Sequence, residues 1–307
     1  MYTLILVDYN SIECAVSFVQ QCLDKLKTDG PLEVVLVDNG TRTDSLSHLQ
    51  AKFKICRELS KTVADCQLYW LGDEKLSLVY CHSNGNIGYA RGNNLGMRIA
   101  DEIFDNPYYI ISNNDMLLPT SIDLHTVTKR FEADPQMGLL GPKVVGTDGV
   151  PQTPRKKQSA FKKLIAGYWG VGPLRKFVDD ISYDAIAGPS EWVTGCFFFL
   201  RRDAVTAAGG FDENTFLYAE EMILSARLRA MGYTTVYDPL FTVIHDHRET
   251  ARNSPQTRRT IRISFASNCY YYKTYCATSA ALLLFARCSF ALYMLLFPLW
   301  QRLKRKC

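Results

Sequence analysis

The chain has 307 residues, is 47% hydrophobic and 21% charged, and carries a net charge of +4. That length supports one large domain or two modest ones with a sizeable core, and the near-balanced charge argues against a nucleic-acid binder. Ten cysteines with no Cys-x-x-Cys pair and no zinc spacing read as reduced thiols, and no secretory signal precedes Asp8, so the expected setting is cytoplasmic.

Residues 3–7 predict a strand closing on Asp8-Tyr9-Asn10-Ser11, followed by a helix through Val16, Phe18, Val19, Cys22, Leu23 and Leu26. Residues 34–37 predict a second strand, ending in Asp38-Asn39-Gly40. Strand, helix, strand with short connections is a βαβ unit and predicts a parallel sheet. Residues 44–69 read as an amphipathic helix and 76–80 as a third strand.

Asn84-Gly85-Asn86-Ile87-Gly88-Tyr89-Ala90-Arg91-Gly92-Asn93-Asn94-Leu95-Gly96 then enters a helix that should run to Ile103. Such a strand–loop–helix junction exposes backbone N–H groups and suits an anion, although a tight turn would use the same glycines. It matches neither the dinucleotide fingerprint nor a P-loop.

Aromatic and β-branched residues at 108–111 run into Ser112-Asn113-Asn114-Asp115, and Asp115 is the only formal charge between Asp105 and Asp123. In open α/β sheets ligands gather where strands end. A carboxylate beside two amides is hard-oxygen chemistry suited to Mg²⁺ or Mn²⁺ on a phosphate, whereas a plain Asn/Asp turn is the alternative.

Residues 122–131 predict a helix and 138–145 a strand. Residues 147–190 change character, with Pro151, Pro154, Pro173 and Pro189, basic Arg155-Lys156-Lys157 and Lys162-Lys163, and interleaved Phe161, Tyr168, Trp169 and Phe177. They read as a long loop, either solvated or touching an anionic partner such as lipid headgroups.

A strand over 192–200 and a helix ending at Gly209-Gly210 follow. The next helix spans 216–228 and carries Glu220 and Glu221 on its first turn, where carboxylates also favour the helix dipole. Two short strands, 234–237 and 241–244, deliver His245, Asp246 and His247. Residues 258–275 mix Arg258, Arg259, Arg262 and Lys273 with tyrosines, and 276–300 are apolar apart from Arg287. Arg287 would be expensive in a bilayer span. Two helices lying in the membrane interface, or a buried helical hairpin, both suit this end, and the basic tail favours the cytoplasmic face.

Four runs, taken in order, resemble the nucleotide-sugar glycosyltransferase family 2 of the rhamnosyltransferase and bacterial polysaccharide type. They are Val37-Asp38-Asn39-Gly40, the 84–96 run, Asn113-Asn114-Asp115, and Thr194-Gly195-Cys196 through Gly209-Gly210-Phe211-Asp212-Glu213 to Glu220-Glu221. The resemblance implies an α/β GT-A fold with a Rossmann-like, mostly parallel mixed sheet flanked by helices. It implies a catalytic domain over 1–250, and the apolar, basic composition beyond it leaves 251–307 as a helical membrane-associating segment.

It also implies roles. Asp38 would accept from a uracil or thymine imide. Asp8, Asn10, Asn86, Gly88, Arg91, Asn93 and Asn114 would shape the donor pocket. Asp115 would hold the divalent ion with Asn113, which stands where the family has the first Asp of its Asp-x-Asp motif, and with His245. Glu221 would be the general base supported by Glu220, where the family has Glu-Asp, and the transfer would invert the anomeric centre. The partners implied are a nucleotide-sugar donor, dTDP-rhamnose or a UDP-sugar, and a lipid-linked saccharide acceptor at the membrane's cytoplasmic face. Two rivals are a sugar-nucleotide nucleotidyltransferase and a non-catalytic saccharide-binding protein. The first would want a basic phosphate loop near the N-terminus, which residues 8–16 lack, and the carboxylates at 115 and 220–221 argue against the second.

Overall fold

Four strands of nearly unbroken apolar residues form the centre of the sheet: β1 (Tyr2–Asp8), β2 (Leu32–Asp38), β5 (Leu76–His82) and β6 (Tyr108–Ser112). In the computed structural model, which describes residues 1–40, 44–53, 55–169, 179–183, 185–246 and 257–304, they lie parallel in the order β6-β1-β2-β5. They are apolar on both faces because helices cover both sides. Leu4, Leu6, Val34 and Leu36 pack with Phe18 and Val19 of α1 (Ile12–Lys25), while Ile5, Val35 and Val37 pack with Leu95 and Ile99 of α3 (Tyr89–Ile103). The register sets Asp8 beside Asp38 and Asp38 beside His82, so the carboxyl ends of the strands form one polar edge.

The sheet extends both ways from this core, giving β10 (Thr234–His245), β8 (Met137–Gly146), β9 (Phe197–Arg201), β6, β1, β2, β5, β4 (Cys66–Gly72) and β3 (Ile55–Val63) in spatial order. β3 (Ile55–Val63) and β4 (Cys66–Gly72) form an antiparallel hairpin on β5. This corrects the helix expected over 44–69, of which only α2 (Ser45–Lys52) is helical. Ala64 and Asp65 between the two strands have φ of 50° and 61°, the left-handed pair of a two-residue hairpin turn.

On the other side β9 (Phe197–Arg201), which leads into a short α5 (Arg202–Ala207), runs antiparallel between β6 and β8 (Met137–Gly146), and β10 (Thr234–His245) is parallel to β8. β10 is one strand where two were expected. Its register against β8 jumps between Pro142 and Lys143, and Asp238 and Thr242 become their successive partners. A short β7 (Met116–Leu117) pairs antiparallel with Ile244 and His245. α4 (Leu124–Ala133) starts two residues later than expected, capped by Asp123, whose carboxylate accepts from the backbone of His125 and Thr126.

The 147–190 stretch is packed where it is described. A π-helical turn, Lys162–Ala166, buries Leu164 and Ile165 in a third apolar cluster. That cluster joins Met222 and Ile223 of α6 (Glu220–Ala230) to two C-terminal helices, α7 (Arg258–Thr274) and α8 (Ala280–Lys304). Phe265 of α7 stacks on Phe290 of α8 with ring centroids 3.8 Å apart. The boundary expected at 250/251 falls outside the described residues, as do Pro173, Phe177, His247 and the end of the basic tail. Beyond it, α7 bonds the sheet-bearing part of the chain directly: Ser267 donates to the Leu217 carbonyl, and Tyr272 to the Gln158 carbonyl.

Candidate active site

The polar edge begins with Asp8. Its carboxylate accepts from the Ser11 backbone at 3.1 Å, from Ser11 Oγ at 2.7 Å and from Asn114 Nδ2. Burial pushes its pKa up, against the bonds from Ser11. Asn114 also donates to Ser11 Oγ at 3.0 Å, so the first and sixth strands are joined at their ends. Asn10 adopts a left-handed φ of 57° beside Gly40, where a Cβ would stand 2.7 Å from both the Asn10 and the Asp38 side-chain oxygens.

Asp38 is fully buried and accepts from Gly40 N at 2.8 Å and Tyr80 OH at 2.9 Å. Asn39 donates to the Gly88 carbonyl at 3.0 Å and accepts from Ser83 Oγ at 2.7 Å, tying the 84–96 loop to the end of β2. Gly88 has φ +88°, and a Cβ there would meet the Phe216 carbonyl oxygen at 2.6 Å. Only glycine meets both demands at once. Its N–H donates to Asn86 Oδ1 at 3.0 Å.

The Asp115 and His245 pair is built by β7 and β10, whose antiparallel register sets His245 against Met116. His245 Nε2 lies 3.3 Å from Asp115 Oδ1, and Nδ1 lies 3.1 Å from Gln152 Oε1. Burial disfavours the imidazolium, but the Asp115 carboxylate and the Cys196 sulfur outweigh it and push His245 up to about 10.

Among the described residues no three His, Cys, Asp or Glu side chains cluster to hold an ion. A carboxylate and an imidazole 3.3 Å apart nonetheless fit two neighbouring positions around an ion with bonds of about 2.1 Å, whose adjacent ligands stand about 3 Å apart. Such ions commonly take only one or two protein ligands and fill the rest with phosphate and water.

The glutamates stand on the far side of a short bridge. Asn113 N donates to the Cys196 carbonyl at 2.8 Å, and Tyr89 OH to the Gly195 carbonyl at 2.7 Å. A Cβ on Gly195 would lie 3.3 Å from Glu221 Oε2, so this glycine makes the room that the carboxylate uses. Adjacent helical residues point about 100° apart. Glu221 is half-buried, whereas Glu220 is 3% exposed and its Oε1 has no hydrogen-bond partner among the described residues.

Burial, then the neighbouring Glu221, pushes Glu220 up to about 8. Burial also raises Glu221, while the charges of Arg155 and Lys163 pull it back down. Tyr218 and Ala219, just before the pair, both hold left-handed φ values, 73° and 70°. That backbone is costly for non-glycine residues and recurs at functional sites. It also delays the helix, which begins at Glu220 and not at Phe216.

Three expected donor contacts lie apart from this mouth. Arg91 is exposed and pairs with Glu213 at 3.7 Å, and Asn86 is exposed at the loop tip. Asn93 is fully buried and donates to the Tyr89 carbonyl one turn back. Sequence reasoning passed over Tyr80, Ser83, Gln152 and Tyr89. It also missed Asn94, which donates to the Phe211 carbonyl and to Glu213 Oε1 and accepts from Phe211 N, each at 2.9 Å. An Asn beside the glycine repeat was the only signal for that clamp.

No protein-family profile matches the chain. It is 25% identical over 244 residues to an N-acetylglucosaminyl-diphospho-decaprenol L-rhamnosyltransferase of Mycobacterium tuberculosis, covering 75% of this chain and 71% of that protein. It is 24% identical over 170 residues to the Escherichia coli rhamnosyltransferase WbbL, covering 53% and 62%. Among solved structures, a mannosyltransferase from Pyrobaculum calidifontis bound to GDP-mannose and Mn²⁺ superposes over 94% of this chain and 74% of its own, at 16% identity and a TM-score of 0.50. GalNAc-T7 with UDP, GalNAc and Mn²⁺ superposes over 81% and 44%, at 12% identity and a TM-score of 0.54. The ordered motifs, the mixed sheet and the rhamnosyltransferase relatives agree: the chain has the GT-A fold of glycosyltransferases and is similar in sequence to bacterial rhamnosyltransferases.

Proposed function

We propose that the protein moves a hexose, with inversion, from a nucleoside diphosphate sugar to a lipid-linked saccharide in surface polysaccharide assembly, such as O-antigen or capsule. The names of the relatives favour rhamnose as the sugar and a diphospho-polyprenol saccharide as the acceptor. The observation that carries the reading is the placement of the Asp115–His245 pair and the Glu221 carboxylate on either side of the Gly195–Cys196 bridge.

In this reading Asp38, Asn10 and Gly88 frame the nucleoside, and Asp8 and Asn114 fix the wall beside it. Asp115 and His245 would hold Mn²⁺ or Mg²⁺, with Asn113 at the rim, and the ion supplies charge neutralisation for the departing diphosphate. Glu221 accepts the proton of the acceptor hydroxyl, a poor nucleophile until that proton is drawn off. Glu220, buried behind it, keeps the helix start closed to water and raises the proton affinity of the pair.

The membrane is met by α8 in this reading. Leu284, Phe285, Leu292 and Leu295 are exposed along one face, while Leu283, Phe290, Tyr293 and Phe297 face the protein. Residues Ala280–Phe297 are long and apolar enough to span a bilayer, and the exposed stripe also suits a helix lying in the interface. Arg287 reaches back towards Cys269 on α7.

The test is donor hydrolysis and transfer with dTDP-rhamnose and UDP-sugars, Mn²⁺ present, onto a short-chain lipid-diphospho-N-acetylglucosamine, with the anomeric configuration read by NMR. Inverted product supports the reading. Pyrophosphate release from a nucleoside triphosphate and sugar phosphate would favour the nucleotidyltransferase, and neither hydrolysis nor transfer would favour the saccharide-binding protein.

A further inference from the structure

A second cluster of charge lies one residue from Glu221. Arg155 Nη1 pairs with Asp180 Oδ1 at 2.6 Å, and Lys163 Nζ lies 3.6 Å from Asp180 Oδ2. Both cations stand over the Trp192 ring, at 5.2 and 5.8 Å from its centroid. Arg155 N donates to the Trp192 carbonyl, and Thr194 Oγ1 donates to the Gln152 carbonyl at 2.6 Å, so the cluster is fixed to the segment that leads to Gly195. Asp180 is one carboxylate facing two cations. Lys156 and Lys157 add two more at the exposed rim, against which Glu191 Oε1 stands 4.0 Å from Lys157.

Met222, next to Glu221, lines one wall of the cleft these residues form, and Tyr271 and Tyr272 of α7 line another. The cleft floor, about 10 Å³, holds no more than a single water, so a larger anion must sit at the rim. Behind the tyrosines lies the hairpin whose α8 carries the exposed apolar stripe. Through Met222 the cationic cleft adjoins the proposed base, and through Tyr271 and Tyr272 it adjoins the hairpin that carries the apolar stripe. A lipid-linked saccharide likewise presents its diphosphate between its sugar and its chain.

We propose that the Lys156–Lys157 rim, backed by Arg155, Lys163 and Trp192, binds the diphosphate of the lipid-linked acceptor. This rests on the function proposed above and adds a site to it. Lysine grips phosphate as a point charge, which suits a rim that must release its product.

The test uses the full chain in neutral detergent with EDTA, so that a metal-dependent donor site does not compete, and follows tryptophan fluorescence as farnesyl diphosphate or farnesol is added. Farnesyl diphosphate should bind about tenfold tighter than farnesol, the equivalent of 1.4 kcal/mol. The double variant Lys156→Ala/Lys157→Ala should lose most of that advantage, and Lys156→Arg/Lys157→Arg should keep it. Trp192→Phe should lose the fluorescence change.

Equal affinity for the two probes, or an advantage that survives the double alanine change, overturns the proposal. So does displacement by phosphatidylglycerol taken up into the same detergent micelles at equal phosphate concentration, which would assign the rim to membrane headgroups. Because the assay needs no turnover, normal binding in a protein that transfers no sugar would count against the proposed function and leave this site standing.

Discussion

The Tyr275 hydroxyl donates to Asp212 Oδ2 at 2.5 Å, and Tyr270 donates to the same oxygen at 2.8 Å. Asp212 opens the loop that leads to Glu220 and Glu221, and the tyrosines close α7. The C-terminal helices are therefore fastened to the segment that positions both glutamates, and Ser267 adds a second tie through the Leu217 carbonyl.

Removing both hydroxyls, Tyr270→Phe with Tyr275→Phe, should cost about 3 kcal/mol of stability, the low end for two hydrogen bonds to a charged group at about 1.5–3 kcal/mol each, because this carboxylate keeps its Asn214 partners. Burial raises the Asp212 carboxyl, but Tyr275, Asn214 and Tyr270 outweigh it and hold it below its ordinary value. A depressed carboxyl adds stability that is present above the unfolded pKa and is lost as pH falls through the folded one. The double variant should therefore unfold at a higher pH on acid titration followed by circular dichroism. An unmoved acid midpoint would show that the tyrosines do not set this carboxyl.

The glutamate pair carries the opposite sign. Glu220 is raised to about 8, so the folded protein keeps a proton that the unfolded chain releases above about 4.5. Its contribution is complete below that lower value and fades as pH rises towards 8. Glu220→Gln cannot ionise, so its melting temperature should fall less than the parent's between pH 5 and pH 8.5. Parallel melting curves across that range would contradict the burial assigned to Glu220.

At the metal end, Asp115→Ala should abolish turnover and leave the circular dichroism spectrum unchanged, and EDTA should do the same to the parent until Mn²⁺ is restored. An active Asp115→Ala protein that also ignores EDTA would remove the Asp115–His245 pair from the reaction.

Gly88→Ala tests the junction between the glycine loop and the Phe216 carbonyl. The left-handed φ and the 2.6 Å approach together predict a loss of about 1–3 kcal/mol, measured by denaturant unfolding. A neutral substitution would mean that the loop can move away from the Phe216 segment, and would count against the proposed donor pocket.

The strands and their polar ends were legible because residues buried on both faces leave continuous apolar runs that stop where the ligand edge begins. The hairpin at 55–72 was not. Ile55, Leu59 and Val63 recur every four residues, which imitates a helical stripe, although Ile55 is 48% exposed. The continuity of β10 was hidden by Pro239 and by the register jump opposite Pro142.

Asp115 with Glu220 and Glu221 could be read because carboxylates at strand and helix ends stand out against apolar surroundings. Gln152 and Tyr89 could not, since their roles exist only once segments distant in sequence meet. The C-terminal helices are apolar on two faces, one turned to the catalytic half and one exposed, and sequence periodicity does not distinguish a protein neighbour from lipid.

The central claim is that Glu221, in the space left by Gly195, takes the acceptor proton. Glu221→Gln keeps the side chain's size and removes only its ability to accept that proton. Turnover with donor and lipid-linked acceptor should drop by about 10² to 10⁴, while donor affinity measured by calorimetry stays within about twofold. Near-normal turnover in Glu221→Gln together with a dead Glu220→Gln would hand the role to the buried neighbour and contradict the account.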